Sequence, residues 1–247
     1  MDAKKRTNSR VVLVTGSSHG IGFEVCRQLA KAGMTVILTA RDQEKATSAA
    51  RQLIVEGLDV HAHALDVTQD ESIHALATVL EQEFGGLDVL INNAAAYVDW
   101  SEKATTADLQ AAHTILETNL FGAWRTTQIL LPLLHQSQHA RIVNVSSGAG
   151  SHGDQQFGLT TNRGSVASYG ISKAALNALT SKFAAELEGT GILVNAVCPG
   201  LTATAPGMEA MGAGPVEKGA SSVLWAATLP DNGPTGGFFR YGEPLSW

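Results

Sequence analysis

The sequence predicts a doubly wound α/β fold, a mostly parallel sheet of seven strands with helices on both faces. Three observations carry that prediction. Short β-branched runs alternate with longer helical patterns along the whole chain. The runs are apolar almost without interruption, as parallel strands covered on both faces require. A glycine-rich turn also joins the first run to the first helix. In order, the strand Val11 to Thr15 leads into the helix Ile21 to Lys31, and Thr35 to Thr39 into Gln43 to Glu56. Val60 to Leu65 is followed by Asp70 to Phe84, and Leu87 to Ile91 by the amphipathic stretch Ala107 to Leu134. The strand Arg141 to Val145, the helix Ser168 to Leu187 and the strand Ile192 to Val197 come next, and the helix Val216 to Ala227 and the strand Gly236 to Phe239 close the series.

With 247 residues and no break in composition, the expectation is one domain over residues 10–247, preceded by a flexible tail over residues 1–9. The net charge of -6, with both signs scattered, argues against a nucleic-acid surface, which needs a clustered cationic face. No apolar stretch is long enough for a membrane span or signal peptide, so a cytoplasmic protein is expected. Cys26 and Cys198 are far apart in apolar surroundings and read as buried thiols rather than a disulfide.

The turn after the first strand reads Thr15-Gly16-Ser17-Ser18-His19-Gly20-Ile21-Gly22. Gly16 lets the chain turn sharply, Gly20 lets backbone approach a pyrophosphate, and Gly22 permits close packing of helix on strand. The helix N-terminus adds N–H donors and a positive dipole. A glycine trio alone is an ordinary turn; with a strand before it and a helix after it, it points to a dinucleotide in a Rossmann-type fold.

The spacing Gly-x3-Gly-x-Gly resembles the short-chain dehydrogenase/reductase family, and later segments extend the resemblance from Val11 onward. Leu65-Asp66-Val67-Thr68 resembles its adenine-contacting segment, and Asn92-Asn93-Ala94-Ala95 its Asn-Asn-Ala-Gly segment, with Ala95 in place of the glycine. Asn119-Leu120-Phe121-Gly122, Ser146-Ser147, Tyr169-x3-Lys173 and Pro199-Gly200 follow in the family's order. The resemblance implies cofactor contacts from Gly16, Ser18, His19, Gly20, Ile21, Gly22, Asp66, Val67, Asn93, Ala94, Ala95, Tyr169, Lys173, Pro199, Gly200 and Thr204. At the second strand's end, Thr39-Ala40-Arg41-Asp42 lacks the acid that NAD-preferring relatives carry. Arg41 offers a planar fork to a 2'-phosphate, so NADP(H) is expected, with NAD(H) possible because His19 stands where NADP-preferring relatives often place Lys or Arg. The bland reading of Arg41 is a surface arginine paired with Asp42.

Hydride transfer to a carbonyl leaves charge on its oxygen, which must be polarised and given a proton. Tyr169 and Lys173, four apart, project from one helix face. Tyrosine titrates near about 10, and lowering it by roughly three units needs about 4 kcal/mol of phenolate stabilisation, for which a nearby ammonium and the nicotinamide ring are the expected sources. The resemblance gives Ser147 the substrate oxygen, with Ser146 as fallback, and makes Asn119 part of a proton relay through Lys173. Together, Asn119, Ser147, Tyr169 and Lys173 imply catalysis, and the segment Gly20 to Ala30, the Thr39-Ala40-Arg41-Asp42 tip, the long spacing from Ser147 to Tyr169 and the ending Leu229-Pro230-Asp231 to Phe238 resemble the carbonyl reductase branch, which implies reduction of small-molecule aldehydes or ketones. An NAD-linked secondary alcohol dehydrogenase and a non-catalytic dinucleotide sensor are the alternatives.

Tyr169 lies 22 positions after Ser147, so an insertion over about Ser151 to Arg163 is expected. This insertion, Ala95, Ala96, Tyr97, Trp100, Met208 and Met211 are candidate substrate contacts; the Leu201 to Pro215 loop is a second cover. His61 and His63 share a strand face, but no third ligand is evident and no metal is expected. The sequence leaves monomer and homo-oligomer both open.

Overall fold

The computed structural model describes residues 9–247; the expected tail falls almost wholly outside the described residues. One sheet runs in the order β3-β2-β1-β4-β5-β6-β7-β8. Its strands are β1 (Val11–Val14), β2 (Thr35–Ala40), β3 (Val60–Ala64), β4 (Val89–Asn92), β5 (Arg141–Val145), β6 (Leu193–Val197), β7 (Phe238–Arg240) and β8 (Glu243–Pro244). The first seven are parallel, as expected. The eighth, two residues long, pairs antiparallel with β7 and was not expected: two residues carry too little pattern to read as a strand.

The helices are α1 (Gly20–Lys31), α2 (Gln43–Val55), α3 (Asp70–Val79), α4 (Leu109–Leu116), α5 (Ala123–Leu134), α6 (Ala167–Glu186) and α7 (Val216–Ala227). π-helical turns extend α3 (Leu80–Phe84) and join α4 to α5 (Glu117–Gly122), so the long amphipathic stretch is two helices with a wide turn between them. Alternation along the strands divides the core. Val12 and Val14 of β1 join Val25, Leu29, Val36, Leu38 and Val223 on the face covered by α1, α2 and α7. Val11 and Leu13 join Ile37, Ile73, Leu90, Leu130 and Leu176 on the face covered by α3, α5 and α6. Strands buried on both faces explain the unbroken apolar runs.

β2 lies on one side of β1 and β4 on the other, so the strand order reverses there and opens a crevice at the carboxyl ends. The loops after β4, β5 and β6 gather at that edge. The insertion after β5 is a built structure. Ser151 Oγ donates to Ser246 O at 2.6 Å, and the Asp154 carboxylate accepts from Gln156 N and Phe157 N, each at 2.9 Å. Asp154 also pairs with Arg240 of β7. A bridge between Thr202 and Gly214 closes the second cover loop. Among the described residues, no helix is long and apolar enough to cross a membrane.

Candidate active site

Val14 ends β1, and the chain turns through Thr15 to His19 into α1. Gly16 has φ +60, and a Cβ there would lie 2.8 Å from Ala94 Cα. A Cβ on Gly22 would lie 2.5 Å from Asn93 Nδ2, so both positions exclude a side chain. That close approach is held by hydrogen bonds. The Asn93 amide donates to Thr15 O and Gly16 O, each at 2.9 Å, and Thr15 Oγ1 accepts from Asn93 N at 3.0 Å and Ala94 N at 2.9 Å. Thr15 was not singled out from the sequence, because only the paired segment of β4, 78 positions away, reveals its task. His19 makes no side-chain cap bond at the start of α1, which leaves the first-turn N–H groups for an anion.

Two cavities meet beside this turn. One, about 280 Å³, is walled by Gly16, His19, Gly20, Ile21, Gly22, Asn93, Ala95, Lys173, Pro199 and Thr204. The other, about 320 Å³, is bounded largely by apolar side chains, among them Val98, Trp100, Phe157, Val166, Leu201 and Met208, with Ser147, Cys198 and Gly200. Ile21, Tyr97, Ser146, Tyr169, Pro199 and Thr204 face both. The narrow groove and the apolar chamber thus share Tyr169 at their junction.

Tyr169 and Lys173 stand one turn apart on α6. Although Tyr169 as a residue is only partly covered, burial of its phenol pushes it well above the ordinary value near 10; the Tyr97 phenol adds to the rise and a hydrogen bond with Ser147 opposes it. The expected lowering is therefore not produced by the protein's own groups. The Lys173 Nζ donates to Val145 O at 2.9 Å, lies 5.6 Å from the Tyr169 ring centre, and is itself depressed by burial to about 8. The rings of Tyr97 and Tyr169 stack with centres 5.2 Å apart and planes 23° apart.

Ser147 Oγ accepts from Ala149 N at 3.2 Å and borders the apolar cavity beside Tyr169. Ser146, the fallback, donates to Asn177 Oδ1 at 2.5 Å and is buried, so its hydroxyl serves the packing of β5 on α6. Asn119 sits in the second π turn. Its amide donates to Ala96 O and Ser172 Oγ at 3.0 Å each and accepts from Ala96 N at 2.7 Å. Its side chain thereby ties the loop after β4 to α6; it makes no direct bond to Lys173.

Cys198 collects four N–H groups on one sulfur: Gly148 N at 3.2 Å, Gly200 N at 3.4 Å, and Arg240 Nε and Nη2, each at 3.3 Å. Both cysteines are free and buried. Thr204 lies across the groove from Gly20, its methyl 3.5 Å from where a Cβ on Gly20 would stand. Ala95 does not have the positive φ that would have made its methyl intrude.

Several expected residues lie beyond the cavity walls. Arg41, Asp66 and Val67 follow β2 and β3 further along the same edge, while Ser18 within the turn and Ala94 against Gly16 do not line the groove. Asp66 Oδ1 accepts from Thr68 N at 3.0 Å and Thr68 Oγ1 at 2.8 Å. Arg41 is exposed and, among the described residues, has no acid paired with it. The bland pairing with Asp42 is replaced by another contact: Asp42 caps α2, accepting from Glu44 N at 2.7 Å and Lys45 N at 3.2 Å. Met208 borders the apolar cavity, whereas Met211 is exposed at 59% and lies outside it. His61 bonds Asp59 at 2.9 Å, and both His61 and His63 meet the Phe84 ring edge-on. Among the described residues, no three His, Cys, Asp or Glu side chains gather as a metal would need.

The family model described as short chain dehydrogenase matches residues 10–211. Among curated relatives, the chain is 33% identical to short-chain dehydrogenase/reductase 1 of Saponaria officinalis, covering 95% of each chain. It is 34% identical to carbonyl reductase (NADPH) 1 of Sus scrofa, covering 98% of this chain and 95% of the relative. Among solved structures, NADPH-bound carbonyl reductase from chicken fatty liver superposes with a TM-score of 0.84 at 27% identity, over 98% of this chain and all of that one.

Proposed function

Since the chain belongs to the short-chain dehydrogenase family and is an oxidoreductase acting on carbonyl or alcohol groups with a nicotinamide dinucleotide, we propose that it is an NADPH-dependent carbonyl reductase that reduces apolar aldehydes or ketones with Tyr169 as proton donor. The observation that carries this reading is the placement of Tyr169, whose phenol stands beside Ser147 where the groove meets the apolar chamber. The phenol is protonated at neutral pH even at its ordinary value near about 10, so it has a proton to give when charge builds on the substrate oxygen.

The groove residues fit the cofactor: Gly20 faces the groove without a side chain, Gly16 and Gly22 let the β4 segment close against the turn, and α1 presents its N-terminus. When bound, the cofactor supplies the hydride. Ser147 and Tyr169 then hold the carbonyl oxygen from the chamber side, and Tyr169 donates its proton to that oxygen as charge develops. Lys173, four residues on, favours the phenolate left behind and returns a proton to it. Asn119 acts by fixing Ala96 and Ser172 on either side of this group. The preference for NADPH rests on Arg41, exposed with no acid paired to it among the described residues, on the absence of an acid at Ala40, and on the commitment of Asp42 to its helix cap.

The test is cofactor oxidation at 340 nm with aromatic aldehydes, α-keto esters and cyclic ketones, using NADPH and NADH in parallel. Expected are faster turnover with NADPH, turnover below 1% in Tyr169→Phe with cofactor affinity within twofold, and an Arg41→Ala variant that loses at least tenfold in kcat/KM with NADPH and under threefold with NADH. Equal rates with the two cofactors would remove the NADPH assignment, and full activity in Tyr169→Phe would remove the proton donor.

A further inference from the structure

The helix that carries Tyr169 begins without a cap of its own. First-turn N–H groups need acceptors, usually a Ser, Thr, Asn or Asp side chain at the N-cap. Here the N-cap is Val166, which makes no side-chain bond, and the first turn of α6 holds no acid. Val166 is also β-branched and left-handed, with φ 49 and ψ 44, a conformation that persists only where the surroundings enforce it.

The acceptor comes from the loop after β4. Glu102 Oε2 accepts from Ser168 N at 2.8 Å, and both its oxygens accept from Ser168 Oγ at 2.9 Å, across 66 positions of sequence. A carboxylate at a helix N-terminus bonds through its charge and with the helix dipole. The next residue, Lys103, secures the end of the insertion. Its backbone bridges Ser165, and its Nζ donates to Asn162 O at 3.3 Å and Arg163 O at 3.1 Å. Asn162 and Arg163 are left-handed too, with φ 51 and 53. Two adjacent residues of the loop after β4 thus fasten both ends of the strained approach to Tyr169.

We propose that Glu102 is a positioning residue for the proton donor: its carboxylate is the cap of α6, and with Lys103 it makes the loop after β4, the insertion and Tyr169 move as one body. The same loop lends Tyr97, Val98 and Trp100 to the apolar cavity, so the chamber wall and the proton donor share one anchor. The side-chain hydrogen bonds of Glu102 go to Ser168 and not to the glycine turn, so removing the cap bears first on Tyr169 and leaves the turn's own bonds to the β4 segment in place. This inference rests on the reading of Tyr169 as proton donor.

The test compares Glu102→Ala, Glu102→Gln and Ser168→Ala with the parent protein by kcat, KM, cofactor affinity from protein fluorescence, and amide hydrogen exchange over residues 165–172. Glu102→Ala should lower kcat at least tenfold, leave cofactor affinity within twofold and raise exchange in that segment alone. Glu102→Gln, which keeps an oxygen acceptor, should recover at least half of the parent kcat. Where Glu102→Ala does not fold, Glu102→Gln and Ser168→Ala carry the test, with a two- to fivefold loss of kcat expected for Ser168→Ala. A kcat within twofold of the parent in Glu102→Ala, unchanged exchange, or affinity falling in step with kcat overturns the inference. Tyr169→Phe tells its failure from that of the underlying reading: an active Tyr169→Phe overturns both, whereas an inactive one beside a fully active Glu102→Ala overturns the positioning role alone.

Discussion

Replacing Lys173 with methionine should stop turnover and yet stabilise the protein at neutral pH. Lys173 is 2% exposed, and burial depresses its ammonium from 10.5 to about 8. At about 1.4 kcal/mol per pKa unit, holding it charged inside the fold costs about 3 kcal/mol below pH 8. Methionine fills similar space without charge but loses the ammonium's bond to Val145 O, worth about 2 kcal/mol for a charged donor. The net gain at pH 7 is about 1 kcal/mol. Between about pH 8 and 10.5 the unfolded chain binds a proton at this lysine that the folded chain does not, so the parent's stability rises with pH relative to the variant, by about 1.4 kcal/mol per unit. By about pH 8.7 the parent has regained about 1 kcal/mol and the two proteins should be equally stable. The Tyr169 phenol, held above its ordinary value by burial, keeps its proton across this range. Urea unfolding without cofactor at pH 7.0, 8.5 and 9.5 measures the difference. A difference that is flat across this range, or a variant less stable than the parent at pH 7, would refute the claim that burial of a charged lysine sets the shift.

Gly22→Ala should weaken cofactor binding at least tenfold by fluorescence titration, because the new methyl would lie 2.5 Å from Asn93 Nδ2 and push the β4 segment off the glycine turn. Arg240→Ala should cost about 3 kcal/mol, since it leaves the buried Asp154 carboxylate without its cation. Limited proteolysis should then cut between residues 151 and 163 at least tenfold faster than in the parent. Burial pushes the Cys26 thiol up to about 12, so at pH 8 it should resist iodoacetamide in the folded protein and react fully in urea, as read by mass spectrometry.

Much of this architecture was legible in the residue pattern because its signals are local. The run Val11 to Val14 before a glycine turn, and the bounds of α7 at Val216 and Ala227, follow from apolar periodicity and from Pro215. Tyr169 and Lys173 stand out by spacing and Ser147 by the family resemblance; the structure sets Ser147 with Tyr169 on the apolar chamber and Lys173 with Tyr169 on the groove. What escaped the sequence depends on partners distant along the chain. Glu102 looks like any loop acid until Ser168 is beside it, and Thr15 like a strand end until Asn93 is. The π turns leave the apolar period nearly intact, so one long amphipathic stretch concealed two helices. Arg41 was weighed against pairing with Asp42, but Asp42 obeys a nearer demand, the open N–H groups of α2. The Tyr169 shift went opposite to expectation because spacing alone says nothing about how deeply a phenol is desolvated or where Lys173 points its ammonium.

The sulfur of Cys198 gives the site a ruler. Segments following β5 and β6 and a side chain of β7 all point N–H groups at that one atom, at 3.2 to 3.4 Å. Oxygen accepts such donors at about 2.9 Å, several tenths of an ångström closer. A serine at this position would therefore draw three chain segments inward or leave their donors slack, and Ser147 and Pro199 ride on two of them. The span between the two sides of the chamber is thus set by an atomic radius, and exchanging the sulfur of this one lining residue for oxygen would resize the chamber.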